Sequence, residues 1–139
     1  MKYLLDTCVI LELVAKRPDP RVTAWIDSID SETAFLSAIT LGEIRKGIEK
    51  LPDSDRKSTL QAWLRDELSI MFSGRVLPID TPVALRWGEL AGALESRGKK
   101  MAAIDSLIAA TSLHHHCRLV TRNEDDFKHS GIALLNPWS

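Results

Sequence analysis

A chain of 139 residues is about one domain long and can bury a core without disulfide or metal staples. Its 45% hydrophobic and 27% charged residues give an ordinary globular balance, and no apolar run approaches the ~20 residues of a membrane span. A net charge of -1 excludes whole-molecule attraction to nucleic acid or anionic lipid, so such contacts must come from local basic patches. Three patches are candidates: Arg45, Lys46 and Lys50; Arg97, Lys99 and Lys100; and Arg118 with Arg122. Two cysteines, Cys8 and Cys117, make no disulfide framework, and the apolar stretch after Lys2 is broken at once by Asp6. A cytoplasmic protein with reduced thiols and no signal peptide is expected.

Tyr3 to Leu5 reads as a short buried strand that ends at Asp6, and Val9, Ile10, Leu11, Leu13 and Val14 lead into a helix. Arg17-Pro18-Asp19-Pro20 breaks the chain before a helix over 22–29. Ala34 to Ser37 predicts a second strand, followed by a helix over 39–51 with Leu41, Ile44, Ile48 and Leu51 on one stripe. Ser54 opens a long amphipathic helix that runs to about Phe72. A third strand is expected over 75–79, then a helix capped by Asp80 or Thr81 with Pro82 in its first turn. A helix over 102–115, a strand over 118–121, a turn or short helix over 123–127 and a last strand over 132–135 complete the chain. Short apolar strands alternating with longer helices predict one α/β domain over 1–139 with a parallel sheet covered on both faces.

Three acids stand out by position. Asp6 ends the first strand, Glu43 lies early in the helix after the second, and Asp105 interrupts one of the least polar stretches, 101–110. Each has a local alternative. Asp6 can cap the first helix, Glu43 fits a capping box with Thr40, and Asp105 can cap a helix starting at Ser106. In a parallel sheet, however, all three face the carboxyl edge, where ligands gather. Converging carboxylates repel unless a cation lies between them, and oxygen-only ligands favour Mg²⁺ or Mn²⁺. Such a site suits phosphodiester hydrolysis. Thr7, Thr121 and Asn123 are candidate supports for a carboxylate or water, and Asp126 a candidate outer ligand. His114-His115-His116 is expected to supply positive charge at a helix end, and the four tryptophans to lie mostly in core or interface.

The segments Leu4-Leu5-Asp6-Thr7, 36–44, 103–111 and Leu119-Val120-Thr121-Arg122-Asn123 resemble the PIN-domain family, and within it the VapC toxins and their FitB-like branch. The stretches 22–27, 74–80 and Asn136-Pro137-Trp138 are similar to that branch as well. The resemblance implies a three-layer α/β/α sandwich with a central parallel sheet. It implies a Mg²⁺- or Mn²⁺-dependent endoribonuclease toxin of a type II toxin–antitoxin system, with Asp6, Glu43 and Asp105 as catalytic and metal-binding acids. It also implies an RNA substrate, a homodimer, inhibition by a cognate antitoxin, and contact with operator DNA only through that antitoxin. Two positions depart from the family pattern: Cys8 stands where the family usually has Asn, and Asn123 where it often has a fourth acid. These departures motivate an alternative, a catalytically weak PIN-like module that holds an antitoxin and supports operator binding.

Overall fold

The computed structural model describes residues 1–139. Five parallel strands form one sheet in the order β3-β2-β1-β4-β5: β1 (Lys2–Leu5), β2 (Ala34–Ser37), β3 (Val76–Leu77), β4 (Cys117–Val120) and β5 (Leu134–Leu135). In the central pair Leu4 lies opposite Leu119 and Leu5 opposite Val120. On its other side β1 pairs with β2, Tyr3 against Ala34 and Leu4 against Phe35.

Alternation along the strands divides the core in two, because successive side chains leave a strand on opposite faces. Leu5, Ala34, Leu36 and Val120 belong to one cluster. There they meet the helices α1 (Thr7–Leu13), α2 (Pro20–Ser28), α3 (Ala38–Glu49) and α4 (Asp55–Trp63). Leu4, Cys117 and Leu119 belong to the other, which packs on α7 (Ala103–His114) and α8 (Glu124–Phe127). The helix α6 (Thr81–Ser96) lies along α7 and reaches the same cluster through Leu90. This is the expected three-layer α/β/α sandwich.

The expected long helix from Ser54 to Phe72 is not continuous. Ser54 caps α4 as anticipated, but a π-helical turn over Leu64–Leu68 separates it from α5 (Ser69–Met71). The wider turn serves the core. Trp63 and Leu68 are five residues apart, a spacing that a regular α-helix would splay, and both are buried here together with Phe72.

Three further expectations need correction. Ser37, not Thr40, is the N-cap of α3; its Oγ accepts from the Ile39 amide at 3.2 Å, and the buried Thr40 hydroxyl has no partner. No capping box with Glu43 forms. The helix carrying Asp105 begins at Ala103, so Asp105 lies within its first turn and does not cap it. The histidines do not act as a uniform cationic end. Burial pushes the His115 imidazole below its ordinary pKa, His114 and Lys2 add to the effect, and His115 Nε2 is buried without a partner. His116 takes a left-handed backbone at φ 55° as the chain leaves α7. The tryptophans divide: Trp63 and Trp138 are buried, whereas Trp87 is 36% exposed.

Leu4 is fully buried at the middle of the central strand. Leu4→Ala is expected to cost ~2–5 kcal/mol in urea unfolding, while Glu95→Ala, at an exposed position of α6, should change stability by less than about 0.5 kcal/mol. Equal losses at the two positions would contradict this core.

Candidate active site

The sheet order places β2 and β3 on one side of β1 and β4 and β5 on the other. The direction of the chain therefore reverses between β1 and β4, and ligands in open α/β sheets bind at such a switch point. Asp6 leaves the end of β1 and Thr121 the end of β4. The ladder runs one step past the strands, with the Asp6 amide donating to Val120 O at 3.0 Å.

Asp6 is 5% exposed, so its carboxylate needs partners. Oδ1 accepts from the Thr7 amide at 2.9 Å and Oδ2 from the buried Thr121 hydroxyl at 2.8 Å. The capping role and the site role of Asp6 thus coexist. Thr121 Oγ1 also accepts from the Asn123 amide at 3.0 Å, which fixes the hydroxyl's direction. Asn123 therefore contributes its backbone, not the side-chain hydrogen bond expected of it. Thr7 Oγ1 donates to Glu43 Oε1 at 2.9 Å, linking α1 to α3. Cys8 is a lesser partner of Asp6: its Sγ lies 3.9 Å from Asp6 Oδ2 and accepts from the Arg122 amide at 3.5 Å.

The acids feel one another. Asp105 is pushed up to about 6, first by burial, then by the negative charges of Asp6, Asp126 and Glu43. Asp6 is raised by burial against the lowering effect of Thr121 and the Thr7 amide, with Asp126 raising it further. Asp126 is thus a fourth charge in the site. None of the four is in a salt bridge. No three Asp, Glu, His or Cys side chains close into a ready-made ligand cage. An open set of hard oxygen donors with uncompensated charge fits Mg²⁺, which keeps several waters and needs only one or two carboxylates. The same donors fit Mn²⁺.

Trp87 Nε1 donates to Ser106 Oγ at 2.8 Å, and Ser106 Oγ donates to Ala103 O at 2.8 Å. This clamp joins α6 to α7 at the residue next to Asp105. An amphipathic stripe shows that Trp87 packs, but not that its indole N–H reaches a serine on another helix.

The PIN domain model matches residues 3–132. The chain belongs to the PIN-domain family. It is 39% identical to Toxin FitB of Neisseria gonorrhoeae across 97% of both chains. It is 38% identical to VapC ribonuclease Y4jK of Sinorhizobium fredii across 97% of this chain and 96% of that one. Among solved structures, FitAB bound to an IR36 DNA fragment superposes with a TM-score of 0.92 at 38% identity, covering 99% of this chain and 96% of that chain. The PIN fold, and with it the placement of the acids at one sheet edge, agrees with the sequence reading.

The charge crowding predicts a pH effect in this PIN domain without metal. Asp105 has a folded pKa of about 6 against an ordinary 3.8, so between those values the folded chain holds the proton more tightly. The stability this group adds is present below about pH 3.8 and is lost as the pH rises through 6. His115, shifted the other way, acts in the opposite sense, so the comparison is made between variants. In EDTA, Asp105→Asn should melt above the wild-type protein at about pH 7.5. The difference should be of the order of 1 kcal/mol after allowance for the solvent that reaches this half-buried group. The gap should narrow towards pH 5. A gap independent of pH would contradict the charge crowding.

Proposed function

We propose that this PIN domain is a Mg²⁺-dependent endoribonuclease toxin (Mn²⁺ serving as a substitute) whose cognate antitoxin holds it inactive. The observation that carries the reading is the set of four mutually repelling acids at the switch point, none paired with a cation, with Asp105 pushed up to about 6. The named activities of the relatives, a toxin and a ribonuclease, support it.

Asp6, Glu43 and Asp105 would hold the ion. When bound, it would supply Lewis acidity towards a phosphodiester oxygen and lower the pKa of a coordinated water. Thr121 and the Thr7 amide fix both oxygens of Asp6, so one donor is set before an ion arrives. Thr7 orients Glu43 in the same way. Repulsion among the acids is relieved only by a cation or a proton, which couples occupancy to pH.

The partner surfaces are part of the same reading. Leu11, Ile44, Ile48, Leu51 and Leu60 line an apolar groove of about 230 Å³ whose wall includes Glu43. An antitoxin segment laid in that groove would end beside the acids, and a basic side chain there would compete with the ion. The antitoxin would carry any operator DNA contact, since this chain has no net positive charge. A homodimer in the cytoplasm completes the proposal, and the exposed Leu85, Ile70 and Met71 are apolar surface that a second copy can cover.

The alternative, a binding module with weak catalysis, draws on Cys8 and Asn123. Asp126 weakens it by restoring the fourth charge. Purified, antitoxin-free protein should cut RNA with Mg²⁺ and not with EDTA, and Asp6→Asn or Asp105→Asn should lower the rate ~10²-fold or more, as expected for loss of electrostatic stabilisation in the transition state. Expression without the antitoxin should arrest growth, and either substitution should relieve the arrest. Arrest that survives both substitutions would reject the catalytic reading, and absence of cleavage with growth unaffected would favour the binding module.

A further inference from the structure

Beside the acidic centre lies a cavity of about 360 Å³ whose walls include Lys99, Lys100, Asp105, Asp125, Asp126 and His129. Asp105 and Asp126 belong to both places, so a molecule in the cavity touches the acidic centre. The volume lies within the ~300–1,000 Å³ of small-molecule sites, enough for one nucleotide unit and too little for a duplex. Carboxylates come from α7 and α8, and both lysines from the loop between α6 and α7.

That loop is held in place. Gly98 takes φ +70°, its amide donates to Glu95 O at 3.0 Å, and the Lys99 amide donates to Leu94 O at 2.8 Å. This is the paired closure of a helix by a left-handed glycine, and it sets the backbone from which Lys99 projects. Met101 packs into the core under α7 and anchors the other end. Lys99 and Lys100 share a cavity with three carboxylates, yet neither forms a salt bridge. Two unpaired ammonium groups beside a metal-type acid centre suit the phosphate of a polyanionic strand. A flat imidazole in the same wall suits an unstacked base.

We propose that this cavity is a subsite for the single nucleotide next to the scissile phosphate, with Lys99 and Lys100 holding its phosphate and the His129 ring facing its base. The proposal rests on the RNA nuclease reading above and adds to it the residues that position the strand. None of the three is a metal ligand in that reading, so each acts by binding.

The test is fluorescence anisotropy with a short labelled single-stranded RNA, performed in the Asp6→Asn background so that the strand stays intact. K99A/K100A should weaken binding about fivefold or more at low salt. It should also reduce the slope of log Kd against log salt by about 0.7, the value for one single-strand phosphate contact. H129A should weaken binding about fivefold or more with the slope unchanged, as loss of one stacked base does. K2A, at the opposite end of β1, should match the parent. An unchanged Kd and slope in K99A/K100A, or an equal loss in K2A, would overturn the phosphate subsite; an unchanged H129A would overturn the base contact. Cleavage by the wild-type chain is measured in parallel. If it cuts RNA and the lysine variant binds as the parent does, only the subsite falls; if it neither binds nor cuts RNA, the nuclease reading falls and the subsite with it.

Discussion

The pairing of β1 with β4 is the constraint on which the rest depends. It joins residues more than a hundred positions apart, Leu5 against Val120, and it creates the only place in the sheet where the chain's direction of travel reverses. One step beyond the paired strands, the same register sets Thr121 beside Asp6, and the 2.8 Å hydroxyl–carboxylate bond follows. A one-residue slip would turn Leu4 and Leu5 to the wrong layers and remove that bond together with the core. Fold and site are therefore specified by one register.

Much of this was legible in the sequence because it is local. Short, mostly apolar stretches mark β1, β2 and β4, and helical stripes mark α3 and α7. The strand-end position of Asp6 and the apolar surroundings of Asp105 both point to a site. What could not be read is what depends on distant partners. Glu43 stands three residues after Thr40, which invites a capping box, but its partner is Thr7, 36 residues earlier. The π turn at Leu64–Leu68 arises from the need to bury Trp63 and Leu68 on one side, a demand set by the layer beneath. The charge at Asp126 reaches Asp6 and Asp105 only because α8 follows the β4 edge. Thr7, Thr121 and Asp126 were candidates by position alone; only the fold shows that the support of Asp6 passes through Thr121 and the Thr7 amide more than through Cys8.

The site is costly to the fold. A buried carboxylate beside three others raises the free energy of the metal-free chain. The surrounding hydrogen bonds reduce that cost for Asp6, whereas no hydrogen bond relieves Asp105, which is pushed up to about 6. Local rules broken at one place and satisfied elsewhere are the usual mark of function. The neighbouring surface carries two unpaired lysines, an apolar groove whose wall includes Glu43, and exposed Leu85, to which the proposals above assign ligands of different chemistry.

The central claim is that the switch-point acids form a divalent-ion site. Mn²⁺ binding to the purified chain, followed by the loss of the free-ion electron paramagnetic resonance signal, tests it without reference to activity. The account predicts saturable binding that weakens about tenfold or more in Glu43→Gln and Asp105→Asn and is displaced by Mg²⁺. Binding that is undiminished in the combined Asp6→Asn, Glu43→Gln and Asp105→Asn variant, or absent from the wild-type chain, would contradict it.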